Sequence, residues 1–169
     1  LVVTAVGKDQ PGLVSTLSEI AHANGGNWEA SRMAQMAGRF AGIFEISVEE
    51  DKAKALESAL GQVEGLRTVV ERSDEEPGAG EDRRGVALEL IGADHPGILN
   101  GIMNALASRS VNVEELSTEI SSAPMTGDPL FTLTAELSAP RDLDLEKLRA
   151  DLEALAADLM VELDMAADV

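Results

Sequence analysis

Two short segments of the sequence combine residue types that suit the binding of a small zwitterion. Residues 7–13 (Gly-Lys-Asp-Gln-Pro-Gly-Leu) and residues 92–98 (Gly-Ala-Asp-His-Pro-Gly-Ile) each place an aspartate two residues ahead of a Pro-Gly pair. At the start of a helix the first backbone N–H groups are unpaired and lie at the positive end of the helix dipole, so they can hold a carboxylate. The aspartate can accept hydrogen bonds from an ammonium group, and the glycine leaves room for a ligand. A free amino acid carries both groups.

An asparagine follows each segment and adds a side chain that both donates and accepts hydrogen bonds. Asn27 and Asn112 lie at the predicted start of the second strand in their halves of the chain. The same segments also have a purely structural interpretation, because an aspartate ahead of a helix is often an N-cap and Pro-Gly is ordinary turn chemistry. Taken alone, the segments leave both interpretations open.

The two segments belong to an internal repeat. Residues 1–29 match residues 86–114 at a constant offset of 85, and the match keeps a glycine, the Asp-x-Pro-Gly loop and an asparagine at one spacing. Between the copies, residues 73–85 are charged and glycine-rich without apolar periodicity, which indicates a flexible linker. We therefore expect a first domain at residues 1–72 and a second at residues 86–169.

Each copy shows the same order of predicted elements, with strands indicated by alternation and helices by apolar residues three or four apart. A proline stands at the expected first turn of the first helix in each copy, and Gly25-Gly26 is expected to end that helix in the first copy. In the first copy the predicted strands are 1–6, one that starts near 27, 40–48 and 66–72, and the predicted helices are 11–23 and one that starts near 51. In the second copy the predicted strands are 86–91, one that starts near 112, 131–137 and 160–166, and the predicted helices are one that starts near 96 and 143–157.

This order predicts the α+β class, with two tandem ferredoxin-like βαββαβ domains. Each would be an antiparallel four-stranded sheet with its helices on one face. The buried stripes are expected to be Leu13, Leu17 and Ile20 in the first helix and Ile98, Ile102 and Ala105 in its counterpart. Because duplicated domains present symmetric surfaces, we also expect a homodimer.

Composition excludes several classes of function. The 169 residues include 31 acidic and 13 basic side chains, a formal net charge of −18, which disfavours direct binding to nucleic acid or to an anionic membrane. The absence of cysteine excludes disulfides and thiolate chemistry. Two histidines on different repeats make a metal site improbable, so we expect no metal and no cofactor. No run is apolar enough to span a membrane, and we expect a cytoplasmic protein.

The paired Asp-x-Pro-Gly-apolar loops, each followed by a helix and then an asparagine with an apolar neighbour, resemble the ACT domain, twice over nearly the whole chain. Two ACT units in a chain of this length resemble the glycine cleavage system transcriptional repressor family. The resemblance implies a regulatory module that binds an amino acid where two units meet and contacts a DNA-binding regulator rather than DNA. Carried over by position, the ligand-binding residues would be Asp9, Gln10, Gly12, Leu13, Asn27 and Trp28, and Asp94, His95, Gly97, Ile98, Asn112 and Val113.

Three functions compete at this point. The leading one is a ligand sensor without catalytic activity, which would modulate a protein partner. A protein–protein assembly module with degenerate ligand sites and an acidic docking surface is the alternative. An acylphosphatase-like hydrolase is disfavoured, because hydrolysis of an acyl phosphate would require an arginine in the first loop. The sequence has Lys8 in one copy and Ala93 in the other. The second copy also carries an extra loop at residues 121–129.

Overall fold

The computed structural model describes residues 1–73, 82–124, 126–159 and 161–167. The chain folds into two compact units, Leu1–Pro77 and Gly78–Val169. Residues 74–81 of the predicted linker lie outside the described residues, and its last three residues belong to the first strand of the second unit, which begins at Arg83. Among the described residues, no helix combines the length and the apolar character that crossing a membrane requires.

The first unit has the predicted order of elements. They are β1 (Val2–Lys8), α1 (Leu13–Ala23), β2 (Asn27–Met36), β3 (Arg39–Ser47), α2 (Glu50–Leu60) and β4 (Leu66–Glu71). The strands form one antiparallel sheet in the order β2-β3-β1-β4. A two-residue turn, Ala37-Gly38, joins β2 to β3, and both residues have positive φ, as a tight hairpin of this kind requires.

The second unit repeats the first. Its elements are β5 (Arg83–Ala93), α3 (Ile98–Ala107), β6 (Asn112–Ser122), β7 (Pro129–Pro140), α4 (Leu145–Asp158) and β8 (Val161–Ala167). The strand order β6-β7-β5-β8 corresponds to that of the first sheet. The predicted extra loop is shorter than expected, because both strands extend into it. Met160, the predicted start of the last strand, lies outside the described residues.

Each unit has its own core between the helices and one face of the sheet, as alternation predicts. In the first unit Val3, Ala5 and Phe44 point toward Leu17 and Leu56, and all of these side chains are buried. The second core is built in the same way around Leu88, Leu133 and Leu152, among others. The other face of each sheet, which we call the open face, carries the alternate residues. The fold class is therefore confirmed.

Two details of the helices differ from the prediction. The prolines do not occupy the first helical turn, because α1 and α3 begin at Leu13 and Ile98, two residues beyond Pro11 and Pro96. The last buried position of each helix lies one residue later than predicted. Ala21 and Leu106 are buried where Ile20 and Ala105 were expected, and Ile20 and Ala105 are half-buried. In both helices the buried side chains follow the spacing i, i+4 and i+8, because side chains at that spacing form one ridge along the helix that packs against the face of the sheet.

Candidate functional site

The loops that follow β1 and β5 have the same backbone geometry. The Asp9 N–H donates to the Gly38 carbonyl oxygen at 3.0 Å, and the Asp94 N–H donates to the Pro129 carbonyl oxygen at 3.0 Å. Each loop is thereby fixed to the connection between the next two strands of its sheet. This anchoring holds the start of the following helix at one end of the sheet.

A glycine in the left-handed conformation caps each of these helices. Gly12 has φ +92° and Gly97 has φ +101°, a region that other residues rarely adopt. Apart from the glycine itself and its chain neighbours, no atom of the described residues lies within 4 Å of the position that a β-carbon would take at either glycine. The space beside each helix start is therefore open, and the backbone there is accessible to a ligand.

The first backbone N–H groups of these helices are available in this space. The first i to i−4 bonds run from Thr16 N–H to Gly12 O and from Gly101 N–H to Gly97 O, both at 2.9 Å. In the part of the chain that the structure describes, the N–H groups between those residues have no acceptor, as is usual at a helix start. The side chains of Leu13 and Ile98 are buried in the cores, so these residues offer a ligand their backbone only.

Neither Asp9 nor Asp94 has a structural role among the described residues, either as a helix cap or as a hydrogen-bond acceptor. Asp9 and Asp94 are exposed, and neither carboxylate accepts a hydrogen bond from the described residues. The N-cap position is held by the glycine, so the interpretation of these aspartates as N-caps is wrong. Each carboxylate is left beside the open helix start, with the polarity that an ammonium group needs.

The remaining loop residue differs between the copies. Gln10 is exposed, whereas His95 is half-buried, with Nε2 2.7 Å from the Leu159 carbonyl oxygen and Nδ1 3.3 Å from that of Pro96. These carbonyl groups stabilise the protonated ring and raise the pKa of His95 above its usual value, with a smaller contribution from the charge of Asp94. His95 thus fastens the second loop to the end of α4.

The asparagines do not lie beside the loops of their own units. Asn27 pairs with Ser47 at one end of β3, whereas Lys8, which precedes the loop, pairs with Arg39 at the other end. Eight residues of strand at about 3.3 Å each separate the two ends by roughly 26 Å. The same register separates Asn112 from the second loop. No ligand the size of an amino acid can touch both parts within one unit.

The asparagine ends of the two units also differ from each other. In the first, Asn27 Nδ2 donates to Glu29 Oε1 at 2.8 Å, and the Ser47 hydroxyl donates to the same oxygen at 2.5 Å. These two bonds, that of Ser47 first, lower the pKa of the Glu29 carboxyl. Asn112 is exposed and forms no side-chain hydrogen bond within the described parts of the chain. A ligand could therefore bind the Asn112 amide without breaking a hydrogen bond among the described residues, whereas the Asn27 amide is already bound to Glu29.

Trp28 and Val113 have packing contacts. The Trp28 ring is stacked on Phe44, with centroids 4.4 Å apart and an angle of 6° between the planes. Val113 is half-buried and lies against the second core. The structure thus brings together Asp9, Gln10, Gly12 and Leu13, and likewise Asp94, His95, Gly97 and Ile98. It leaves Trp28 and Val113 at the far ends of their sheets.

Sequence reasoning missed a group of three basic residues at the loop end of the first sheet. Lys8, Arg39 and Arg67 border one cleft there, although they are far apart in the sequence. Strand register was needed to find them, and the sequence alone does not give it. Across the ranges that the structure describes, no cluster of His, Asp or Glu has the geometry of a metal site.

Comparison with known proteins agrees with this architecture. Residues 1–70 match the family model of the ACT domain. The glycine cleavage system transcriptional repressors of Escherichia coli (strain K12) and Shigella flexneri are each 25% identical to this chain over 162 residues, which is 94% of this chain and 85% of theirs.

Two solved structures share the whole architecture. A crystal structure of an unknown protein from Galdieria sulphuraria has a TM-score of 0.88 and 29% identity, and it covers 99% of this chain and 97% of its own. A protein provisionally described as a glycine cleavage system transcriptional repressor has a TM-score of 0.67 at 22% identity, with 99% of this chain and 95% of its own covered. The second match supports the fold only.

Proposed function

We propose that this tandem ACT-domain protein, which resembles the glycine cleavage system transcriptional repressors, is a non-catalytic regulatory protein that binds a free amino acid at the loops after β1 and β5. The observation that carries the proposal is the geometry shared by the two loops. Each combines an open helix start, a glycine with positive φ and an aspartate without a structural role.

The two charged groups of an amino acid would bind to different parts of each loop. The carboxylate would accept hydrogen bonds from the N–H groups of the first helical turn, where the dipole favours an anion. The ammonium group would donate to Asp9 or Asp94. An asparagine such as Asn112 would join a site only from a unit other than the one that supplies the loop. We also propose that the chain forms a homodimer, as duplicated surfaces favour. The similarity to the glycine cleavage system transcriptional repressors favours glycine or a similar amino acid as the ligand.

Binding would regulate a partner by favouring one arrangement of the protein over another. A net charge of −18 disfavours contact with DNA itself. We therefore propose that the partner is a protein, such as a DNA-binding regulator of the glycine cleavage system, and that the interaction takes place in the cytoplasm.

Calorimetric titration of the full chain with each of the twenty amino acids tests this function. One small amino acid should bind, and Asp9→Asn with Asp94→Asn should weaken binding about tenfold or more, because each substitution removes a charge-assisted hydrogen bond. Asp51→Asn with Asp142→Asn is the matched control, since it removes the same two charges at exposed positions, one in each unit. An unchanged affinity in the double variant, or no binding of any amino acid at millimolar concentration, contradicts the proposal.

A specific feature favours the second candidate, an assembly module. The open face of the second sheet is strongly acidic, and two shallow clefts of about 230 and 200 Å³ lie on it, lined in part by Glu89, Glu115, Glu136, Glu162 and Asp164. A basic protein partner would fit this surface. Partner binding that weakens with salt and ignores every amino acid would favour the module, whereas binding that depends on an amino acid would favour the sensor.

A further inference from the structure

A cleft of about 510 Å³ lies at one end of the first sheet and is bordered by three cations. Lys8 of β1, Arg39 of β3 and Arg67 of β4 line it together with the backbone of Gly7 and Gly65. All three charged side chains are exposed on the open face of the sheet, opposite the core. A volume of this size is within the range of small-molecule sites.

Strand register explains why the three charges lie close together. Lys8 is directly opposite Arg39, and Arg67 is opposite Val6, which makes it a diagonal neighbour of Lys8. Directly opposed side chains have β-carbons about 5 Å apart, and diagonal ones about 7–8 Å. The three cations therefore converge across the adjacent strands β3, β1 and β4.

This arrangement has no structural benefit in the protein alone. Like charges directly opposite each other destabilise a pair of strands. The chain has 31 acidic side chains that could have neutralised this corner, yet in the described residues none of the three cations forms an ion pair or hydrogen bond. By contrast, Arg72 and Arg109, elsewhere in the chain, are each paired with carboxylates.

The second unit lacks the cluster, although its backbone is the same. The residues that correspond by register to Lys8, Arg39 and Arg67 are Ala93, Leu130 and Glu162. The fold does not require cations at these positions. Their presence in the first unit alone is specific to that unit.

We propose that this cleft is a binding site for the phosphate group of a small phosphorylated molecule. A phosphate monoester carries about −1.5 to −2 charges at pH 7, which matches three converging cations better than a single carboxylate does. The two arginines can bind its oxygens through paired N–H donors, and Lys8 adds a point charge. Carboxylates that lie farther than about 8 Å from the cleft do not prevent this, because they are largely screened at physiological salt.

The site adjoins the proposed amino-acid loop, since Lys8 directly precedes Asp9, but it uses different side chains and does not depend on amino-acid binding. It lies on the open face of the sheet, and its side chains come from strands rather than from the helix start. The tests are correspondingly distinct, since the variants and the ligands differ.

Titration of the full chain with inorganic phosphate, followed by the amide NMR signals of Gly7, Lys8 and Gly65, tests the proposal at constant ionic strength. We expect saturable shifts at these residues. The Arg39→Gln and Arg67→Gln substitutions should each weaken binding about tenfold, as the loss of a charge-assisted hydrogen bond does. Both side chains are exposed, so these variants should fold.

The matched control is the single variant Lys54→Gln, which makes the same change in net charge at an exposed position of α2. It should retain phosphate binding. Three outcomes would overturn the site: no saturable shift in the wild type, an equal loss of binding in the α2 control, or acetate binding as tightly as phosphate.

Discussion

His95 distinguishes the two loops at the level of a single residue. Its ring nitrogens face the carbonyl oxygens of Leu159 and Pro96, and both can be hydrogen-bonded at once only when the ring is protonated. In the first unit the corresponding residue is Gln10, which has no such contact with the residues that the structure describes. The second loop is therefore held to α4 by a contact that is complete only when the His95 ring is protonated.

This contact should make the stability of the second unit depend on pH. Because folding raises the pKa of His95, the contact stabilises fully below the unfolded pKa of about 6.5, and the stabilisation is lost as pH rises through the higher folded value. Denaturant unfolding followed by circular dichroism between pH 5 and 8 measures the effect. His95→Gln should reduce this pH dependence, whereas His22→Gln should leave it in place. Equal profiles for His95→Gln and the wild type would show that the contact does not form.

At the level of the elements, the repeat made most of the fold predictable. Two independent copies of each alternating strand and each apolar stripe restrict the possible orders of elements, and the βαββαβ order is confirmed. Helix boundaries were predicted less well. The prolines suggested starts at Pro11 and Pro96, but the positive φ of the next glycine delays each helix.

The candidate site was predictable only in part. The Asp-x-Pro-Gly loops are contiguous, so the sequence alone located them. The position of Asn27 relative to its loop depends on the direction and register of β2, and a one-dimensional pattern does not contain that information. The same limit concealed the convergence of Lys8, Arg39 and Arg67, which come from three strands.

The two copies end their first helices with the same backbone conformation but with different residues. After α1, Gly25 adopts φ +74° and the Gly26 N–H donates back to Ala21 O at 2.8 Å. After α3, Ser110 takes the equivalent position with φ +57°, and the Val111 N–H donates to Leu106 O at 3.2 Å. A serine in this conformation is strained where glycine is not.

Replacing Ser110 with glycine should therefore stabilise the second unit. The left-handed conformation costs a residue with a β-carbon about 1–2 kcal/mol, and the greater freedom of glycine in the unfolded chain offsets about 0.4–1 kcal/mol of that. We expect a net gain of about 0.5–1 kcal/mol in the free energy of unfolding, measured by denaturant titration. Gly25→Ser in the first unit should have the opposite sign. A loss of stability in Ser110→Gly would mean that the serine side chain contributes more than its backbone costs.

At the scale of the whole molecule, acidity is unevenly distributed. The segment Leu1–Pro77 has 13 acidic and 7 basic side chains, a formal charge of −6, and Gly78–Val169 has 18 and 6, a formal charge of −12. Self-repulsion of like charges destabilises a compact state and is reduced by salt. The second unit should thus gain more from added salt than the first.

The single tryptophan allows the two units to be followed separately. Trp28 stacks on Phe44 in the first core, so its fluorescence reports the first unit, whereas circular dichroism reports both. Between about 0.01 and 0.5 M NaCl the screening length falls from about 30 Å to below 10 Å. We expect the thermal midpoint from circular dichroism to rise more than the midpoint from fluorescence, by about 4–8 °C for each kcal/mol of repulsion removed. Midpoints that coincide at every salt concentration would show instead that the two units unfold as one and share the effect of charge.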